Sequence, residues 1–287
     1  VIYGTRRVGG NIVWLAVSPD NQFLYMVIAL CEGQVARFTE LYIDDVLYAT
    51  YTGSDSTYGT AQTVSSLASA STSVPTNTSG LSIETDHPVY SGIETVEDVD
   101  TTHYLTNFAF FNGTDDGLNV STLTGLSEVS SLGWTSAHAG KGIAHAVFKL
   151  KYNSDAFNSI PKINFIIRGK QINTNLSGSS YAYSANPALV LYDYLTSTRY
   201  GKGLSASDID TSAFTAAKNV LSSMRSYFTF SGGLYTIKVE GTGSSVLSIT
   251  EDMIVSGIQA QGETKQKRYN RVIARFDNAE KNFQPDE

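Results

Sequence analysis

The first fifty residues carry short apolar and aromatic runs separated by turn residues, a pattern typical of β-strands. The runs fall at residues 11–17, 23–31, 34–42 and 46–51. Turns are predicted at residues 18–21 and at Asp44-Asp45, because Pro, Asp and Asn favour tight reversals of the backbone. Gly33 separates the second run from the third. We therefore predict four strands in an antiparallel meander.

Between residues 52 and 140 the pattern changes, and we interpret this part as a long insertion in the first domain. Roughly half of residues 52–82 are Ser or Thr, so this stretch cannot bury enough apolar surface to offset its ordering entropy unless another part of the protein covers it. Residues 83–100 are acidic. Residues 104–111 return to a strand pattern.

The second half mixes strands with helices. Residues 143–152 and 162–169 predict two strands. The clearest helix covers residues 188–197, because Asn186 is a good N-cap and Pro187 sits at the first helical position, where its missing N–H costs nothing. Beyond it, Gly201 predicts a helix end, since a glycine there can take the left-handed conformation.

A second helix is predicted at residues 212–224, with Asp210 or Thr211 as its cap and Phe214, Ala217 and Leu221 on one face. The remaining predicted elements are a hairpin of residues 228–230 and 234–239, a short helix at 251–254 and a strand at 270–276.

These elements predict an α+β fold that is predominantly β, with a few short helices and a long inserted subdomain. We divide the chain into a β-rich domain at residues 1–150, with the insertion at about 52–140, and an α+β domain at residues 151–287. The chain begins with Val1 and ends within strand-flanking sequence, so we expect it to be a section of a longer protein.

Composition narrows the functional classes. Charged residues make up 16% of the 287 residues, and the balance is carried by Ser, Thr, Asn, Gly and Tyr, as in many extracellular β-rich proteins and particle components. The net charge of −7 argues against a nucleic-acid-binding surface, which needs clustered Lys and Arg. The single cysteine, Cys31, excludes an internal disulfide framework. No apolar run is long enough for a membrane span, so we expect no stable membrane insertion by this segment.

The best metal candidate is the loop at residues 112–117, whose oxygen-bearing side chains before Gly117 resemble the start of a calcium loop. Such a loop needs a bidentate Glu at its twelfth position, and that position is Leu123. An Asx-type turn is therefore favoured. The histidines do not recur at helical spacing and have no neighbouring ligands for a tetrahedral metal site. They are His87, His103, His138 and His145.

An acidic run could supply the carboxylate pair of a glycosidase, but so dense a run is more typical of a solvated patch. It consists of Glu94, Glu97, Asp98 and Asp100. No nucleophile elbow, phosphate-binding glycine loop or dinucleotide fingerprint is present in the sequence. We therefore predict no catalytic, cofactor-binding or metal site, no cofactor and no enzymatic activity.

Several spaced motifs resemble the tail-tip (host-specificity, J-type) proteins of lambda-like, long-tailed bacteriophages, including the phage tail protein domain at their core. The stronger stretch combines residues 160–170 (IPKINFIIRGK), 183–195 (YSANPALVLYDYL) and 199–203 (RYGKG). The other segments are residues 3–14 (YGTRRVGGNIVW), 28–33 (IALCEG), 268–272, 276–278 and 282–286. The resemblance covers the first fifty residues and nearly all of 143–287, and it is weak across 52–140.

The resemblance implies a homotrimeric central hub of the tail tip, located in the virion after assembly in the host cytoplasm. The resemblance implies β-barrel or β-sandwich domains similar to those of baseplate hubs, arranged around the DNA exit path. The implied neighbours are the distal tail protein, the tape-measure protein and other tail-tip proteins, with genomic DNA only in passage. Such a hub would anchor receptor-binding parts for host attachment and DNA ejection.

Two other functions stay open. A carbohydrate- or cell-surface-binding adhesin module could use Trp14 and Trp134 as stacking platforms, although aromatic residues in strands are more often core or interface residues. A tail-associated hydrolase acting on the cell envelope would need a buried carboxylate with a shifted pKa, for which Glu94 and Glu97 are the candidates.

Overall fold

The computed structural model describes residues 1–66, 78–96, 99–114, 129–135, 137–138, 140–157, 159–219, 226–239, 276–278 and 284–286. Within these residues the chain is mainly β-strand, which confirms the predicted α+β, predominantly β class. The strands are β1 (Thr5–Val8), β2 (Asn11–Val17), β3 (Phe23–Glu32), β4 (Val35–Ile43), β5 (Val46–Tyr51), β6 (Thr63–Ser65), β7 (Leu81–Ile83), β8 (Ser91–Val96), β9 (Val99–Tyr104), β10 (Thr106–Phe111), β11 (Ile143–Lys151), β12 (Ile163–Asn173), β13 (Tyr181–Tyr183), β14 (Ser226–Ser231), β15 (Leu234–Val239), β16 (Phe276–Asn278) and β17 (Gln284–Asp286). The helices are α1 (Pro187–Thr196) and α2 (Thr211–Lys218).

Two antiparallel sheets form a sandwich. The first sheet has the order β1-β12-β4-β5-β7, with β13 paired to the far end of β12, and the second has the order β2-β3-β11-β10-β6. Phe38 and Phe165 of the first sheet meet Phe110 and Phe148 of the second in the core between them. The described strands do not close either sheet into a barrel. Of the two predicted architectures, barrel and sandwich, the structure is therefore a sandwich.

The outer face of the second sheet is also covered. Tyr25, Val27 and Phe111 on that face form a separate apolar cluster with Trp134, which belongs to residues 129–135. As a result, all residues of β10 and nearly all of β11 are buried. This explains why these strands have near-continuous apolar runs in place of a strict alternation.

The predicted meander of the first fifty residues is wrong, although its strands and turns are confirmed. β2 pairs with β3 and β4 pairs with β5, but β3 and β4 lie in different sheets. The chain changes sheets around Gly33, which has a φ of +88°. On their other sides β3 pairs with β11 and β4 with β12, so each of these long apolar strands lies between two neighbours and is buried in its sheet.

Side chains of the first sheet order the start of the Ser/Thr-rich stretch. Gln34 accepts a hydrogen bond from the N–H of Gly59 (2.7 Å) through its Oε1 atom. Arg37 and Arg168 on neighbouring strands both form ion pairs with Asp55, at 3.2 and 2.9 Å. Polar contacts thus hold the start of this stretch in place, although it has too few apolar residues to form a core of its own.

Both predicted helix starts are confirmed. The Asn186 Oδ1 atom accepts from the N–H of Ala188 (3.0 Å), with Pro187 as the first helical residue. At α2, Asp210 and not Thr211 is the cap, and its Oδ1 atom accepts from the N–H of Ala213 (3.0 Å). α2 ends at Lys218, earlier than predicted. Leu221 lies outside the described residues, as does the helix predicted at 251–254.

The helices pack on the end of β12 that extends beyond the sandwich. Ile172 of β12, Leu189 and Tyr192 of α1, Phe214 of α2 and Ile237 of β15 form an apolar cluster. The predicted hairpin is confirmed as β14 and β15, with the turn at the Gly232-Gly233 pair. No helix among the described residues is long and apolar enough to span a membrane.

The division near residue 150 stays a prediction. In the sheets, β12 from the second predicted domain pairs with β1 and β4 from the first. Within the predicted insertion, β10 pairs with both β11 and β6 and so belongs to the second sheet. β8 and β9 form a separate hairpin in the same stretch.

Candidate functional site

Four polar residues from distant parts of the chain meet where the sandwich joins the helices, and we call them the interlock: Tyr3, Lys170, Asp193 and Tyr200. Lys170 lies on β12, at the point where this strand leaves the sandwich. Asp193 lies on the buried face of α1, and Tyr200 follows that helix. Tyr3 precedes β1, whose pairing with β12 brings it close.

Asp193 is the centre of the interlock. Its Oδ2 atom accepts hydrogen bonds from the hydroxyls of Tyr3 and Tyr200, each at 2.5 Å. The Lys170 Nζ atom donates to Oδ1 at 2.8 Å and to Oδ2 at 3.0 Å, and it also contacts the Tyr200 hydroxyl. The Lys170 ammonium lies 4.8 Å from the centroid of the Tyr200 ring, within the range of a cation–π interaction.

The interlock raises the pKa values of two of its members, Tyr3 and Lys170. Burial, and then the hydrogen bond to Asp193, raise the pKa of Tyr3 far above its usual value. Desolvation acts to lower the pKa of Lys170, but hydrogen bonds with Asp193 and Tyr200 outweigh it and raise that pKa. Because both pKa values are raised, Tyr3 and Lys170 stay protonated at neutral pH. A general base needs a pKa near the operating pH, so these two side chains are better suited to linking elements than to transferring protons.

Two glycines of the motifs allow the backbone to approach closely around the interlock. A Cβ atom at Gly169 would overlap the carbonyl oxygen of Ile2, so a glycine here lets the first residues run beside β12. A Cβ atom at Gly201 would overlap the carbonyl oxygen of Tyr194 in α1. The prediction that Gly201 ends the helix in a left-handed conformation is wrong: α1 ends at Thr196, its C-cap Ser197 has extended backbone, and Gly201 has no positive φ.

A cleft of about 330 Å³ opens beside the interlock and is lined in part by Lys170 and Tyr200. On its rim, Arg199 forms an ion pair with Glu32. Since Lys170 is paired with Asp193, both cations of the cleft are neutralised by carboxylates. With Asp193 counted beside the described lining residues, the cleft offers polar groups without a net charge.

The calcium-like loop is only partly described. The side chain of Asn112 is buried and used locally, because it donates to the carbonyl oxygen of Thr60 (3.0 Å) and accepts from the N–H of Gln62 (3.1 Å). The later positions of the loop, including Asp115 and Asp116, lie outside the described residues. No group of three or more metal-ligating side chains occurs in the described part of the chain.

His103 lies on β9, and the other three histidines have packing partners. His145 is buried, stacks on Phe111 with ring centroids 4.8 Å apart and bonds to the carbonyl oxygen of Ile143 at 2.7 Å. His87 is also buried and meets the ring of Tyr48 edge-on. Desolvation lowers the pKa of both histidines. His138 stacks on Trp134 at the surface.

The structure places the other candidates as follows. Glu94 and Asp100 lie on the β8–β9 hairpin, and Glu97 and Asp98 lie outside the described residues. Trp134 is only 8% exposed and packs against Trp14, with ring centroids 5.2 Å apart. Trp134 is therefore a core residue and not an exposed platform for a sugar.

Comparison with known proteins gives little further. No family model matches the chain, and no curated protein matches it. One of the solved structures that match is a chain from the "Virion of native gene transfer agent (GTA) particle", at 16% identity and a TM-score of 0.29. The match covers 59% of this chain, which spans about a quarter (26%) of the length of the other. At this TM-score the likeness carries no argument about fold or function.

Proposed function

We propose that this chain is a structural component of a bacteriophage tail tip, the central hub of the tail baseplate. In this proposal three copies form a ring around the DNA exit path and anchor receptor-binding parts for host attachment and DNA ejection. The distal tail protein and the tape-measure protein are its neighbours, and its location is the virion. The chain acts as a scaffold and not as an enzyme.

The observation that supports the proposal is that residues of the motifs shared with tail-tip proteins meet in the interlock. Lys170, Asp193 and Tyr200 come from three separate motif segments, and they meet in one half-buried network. Gly169 and Gly201 of the same motifs permit the close backbone contacts around it. The motif residues thus support a fixed junction between elements, which suits a scaffold, and the raised pKa of Lys170 does not suit base catalysis.

The charge balance is compatible with passing DNA. The net charge of −7 leaves no excess of cations to hold phosphates on a channel wall. A strongly basic surface facing the channel of the assembled tail would contradict this part of the proposal.

The adhesin alternative loses one of its two tryptophan platforms, because Trp134 is buried. Binding of this chain to a glycan array, abolished by substitutions at the exposed aromatic residue Tyr58 or Tyr152, would favour it nevertheless. Detectable envelope hydrolysis that is lost in Glu94→Gln would favour the hydrolase.

The decisive experiment is quantitative mass spectrometry of purified infectious particles, counting this chain against the major tail protein. About three copies per particle are expected for a trimeric hub. Absence from the particle would overturn the proposal, and a copy number equal to that of the major tail protein would place the chain in the tail tube.

A further inference from the structure

His87 lies in a tight turn between β7 and the β8–β9 hairpin, and its ring fixes the backbone of that turn. The Nδ1 atom of the ring accepts a hydrogen bond from the N–H of Val89 at 3.2 Å. Pro88 has no N–H, so Val89 carries the first backbone donor after His87. A backbone N–H can only donate. Nδ1 is therefore the unprotonated nitrogen, and the neutral ring carries its proton on Nε2.

The ring of His87 is enclosed by the first sheet. It is 8% exposed and meets the ring of Tyr48 on β5 edge-on, with ring centroids 5.3 Å apart. Its Nε2 atom is buried and makes no hydrogen bond of normal geometry with the described residues. These surroundings suit an uncharged ring, because a buried charge needs partners that compensate for its lost hydration.

A second proton on the ring would break the turn at Nδ1. It would set an N–H of the imidazolium against the N–H of Val89, and two donors cannot share a hydrogen bond. Desolvation is the largest influence on the ring and lowers the pKa of His87. The groups that oppose it are the carboxylates of Asp44 and Asp86 and the backbone carbonyls of Ile43 and Val46. Since desolvation outweighs them, the charged ring is more stable in water than in this turn.

The same turn attaches the β8–β9 hairpin to the sandwich. Val89 is buried in the sandwich core, in the same apolar cluster as Tyr48. The N–H of Tyr90 donates to the carbonyl oxygen of His87 (2.9 Å), and the carbonyl oxygen of Tyr90 accepts from the N–H of Leu105, the residue after β9 (3.1 Å). Among the described strands, β8 and β9 pair only with each other. Release of the turn would therefore free the base of the hairpin.

We propose that residues 84–90 form a pH-sensitive latch, in which protonation of His87 at Nδ1 releases the turn, and with it the base of the β8–β9 hairpin, from the sandwich. The neutral ring holds the latch closed. In the open latch the charged ring is solvated, and the Val89 side chain leaves the core with the turn. This inference does not depend on the proposed function.

The direction of the pH effect follows from proton binding. In the open latch the ring has the ordinary histidine pKa of about 6.5, and in the closed latch its pKa is lower. The open state therefore binds the proton first as pH falls. The closed latch is most stable above about pH 6.5, and below it the closing equilibrium weakens by up to about tenfold per pH unit, until the pH reaches the pKa of the closed latch.

The first test measures amide hydrogen exchange of the 287-residue chain between about pH 7 and pH 5, with each rate divided by the intrinsic rate at that pH. Protection of the Val89 and Tyr90 amides is expected to fall by up to about tenfold per pH unit below about pH 6.5. Protection in β10 and β11, which report on the whole sandwich, should fall less. Constant protection of the two turn amides, or an equal loss in all these strands, would overturn the inference.

Three variants assign the effect to the ring. His87→Asn has a side-chain oxygen that can accept from the N–H two residues later and does not titrate, so it should remove the pH dependence of the turn. His87→Phe retains a ring but no acceptor, and its turn should be poorly protected at both ends of the pH range. His145→Phe is the matched control, because it removes a buried histidine of the second sheet and should retain the loss of protection at residues 89 and 90. A pH dependence that persists in His87→Asn, or disappears in His145→Phe, would contradict the latch.

The second test needs no variant. The ¹⁵N chemical shifts of the two ring nitrogens of His87 in the wild-type chain are expected to show the Nε2–H tautomer at about pH 7. They should titrate over the same pH range in which the turn loses protection. An Nδ1–H tautomer at neutral pH would overturn the inference, as would a ring that stays neutral while the turn opens.

Discussion

The first part of β12 joins the two sheets through aromatic rings, whereas its end joins the helices through charged and hydroxyl groups. Phe165 lies in the sandwich core against Phe38 and Phe148, and all are fully buried. Five residues further on, Lys170 binds Asp193 of α1. One strand therefore takes part in two junctions whose stability has different physical origins.

The difference concerns what a single substitution leaves behind. In the aromatic junction a truncated side chain leaves a cavity, and the cost depends on how far the neighbours can collapse into it. In the interlock, removal of Asp193 leaves a half-buried ammonium and two hydroxyls without their acceptor. The aromatic junction should therefore tolerate replacement by another apolar side chain. The interlock should tolerate only a change that removes the charges of Lys170 and Asp193 together.

The largest effect is expected for Phe165→Ala. The lost ring contacts and the cavity should lower the free energy of unfolding by about 4 kcal/mol, as measured by denaturant unfolding. Phe165→Leu is the control, and because it retains most of the apolar volume it should cost about half as much or less. If both variants lowered the free energy of unfolding by the same small amount, the sandwich core would not depend on this ring.

Asp193→Ala should come next, at about 3 kcal/mol, because Lys170 loses its counter-ion and two tyrosine hydroxyls lose their acceptor. The double variant Lys170→Met/Asp193→Leu should cost less than the single one, since it removes both charges together. Hydrogen exchange should show faster opening of α1 with little change in β10 and β11. A double variant as unstable as Asp193→Ala would show that packing and not charge holds this junction.

Local chemistry was sufficient to predict many elements of this fold. The caps Asn186 and Asp210, and the Gly232-Gly233 turn, depend only on neighbouring residues, so their positions follow from the sequence. The meander failed because strand pairing is a contest between local and distant partners. β3 finds β11 more than a hundred residues later, and no local pattern encodes that choice.

The interlock was missed for the same reason, since Tyr3 and Asp193 are 190 residues apart. One signal pointed to it. Asp193 lies beside Tyr192 and two residues before Leu195, among the apolar positions that α1 buries, and a carboxylate at such a position requires a partner. The identity of the partner could not be read from α1, because Lys170 belongs to a strand.

The cap of α1 offers a smaller test of the helical junction. Asn186→Ala should lower the free energy of unfolding by about 1 kcal/mol, since the N–H groups of Ala188 and Leu189 lose their acceptor. The Asn186 Nδ2 atom also donates to the carbonyl oxygen of Lys218 (2.8 Å), which connects α1 to the end of α2. Asn186→Asp retains the cap and loses this connection. An Asp variant as unstable as the Ala variant would assign the cost to the helix–helix link.

The smallest effect concerns pH and the second sheet of the sandwich. Desolvation lowers the pKa of His145 in the folded protein below its unfolded value of about 6.5, so the unfolded state binds the proton first as pH falls. The stability that neutral His145 contributes is complete above about pH 6.5 and decreases as pH falls towards the lower folded-state pKa. His145→Phe removes this titration. Between about pH 7 and pH 5 its free energy of unfolding should therefore fall less than that of the wild type, with a difference of roughly 1 kcal/mol or less.

Part of the pH dependence should remain in this variant, because desolvation lowers the pKa of His87 as well. The same measurement on His138→Phe, at an exposed histidine, is the matched control. An unchanged slope in His145→Phe would mean that other groups produce the acid sensitivity of the sandwich.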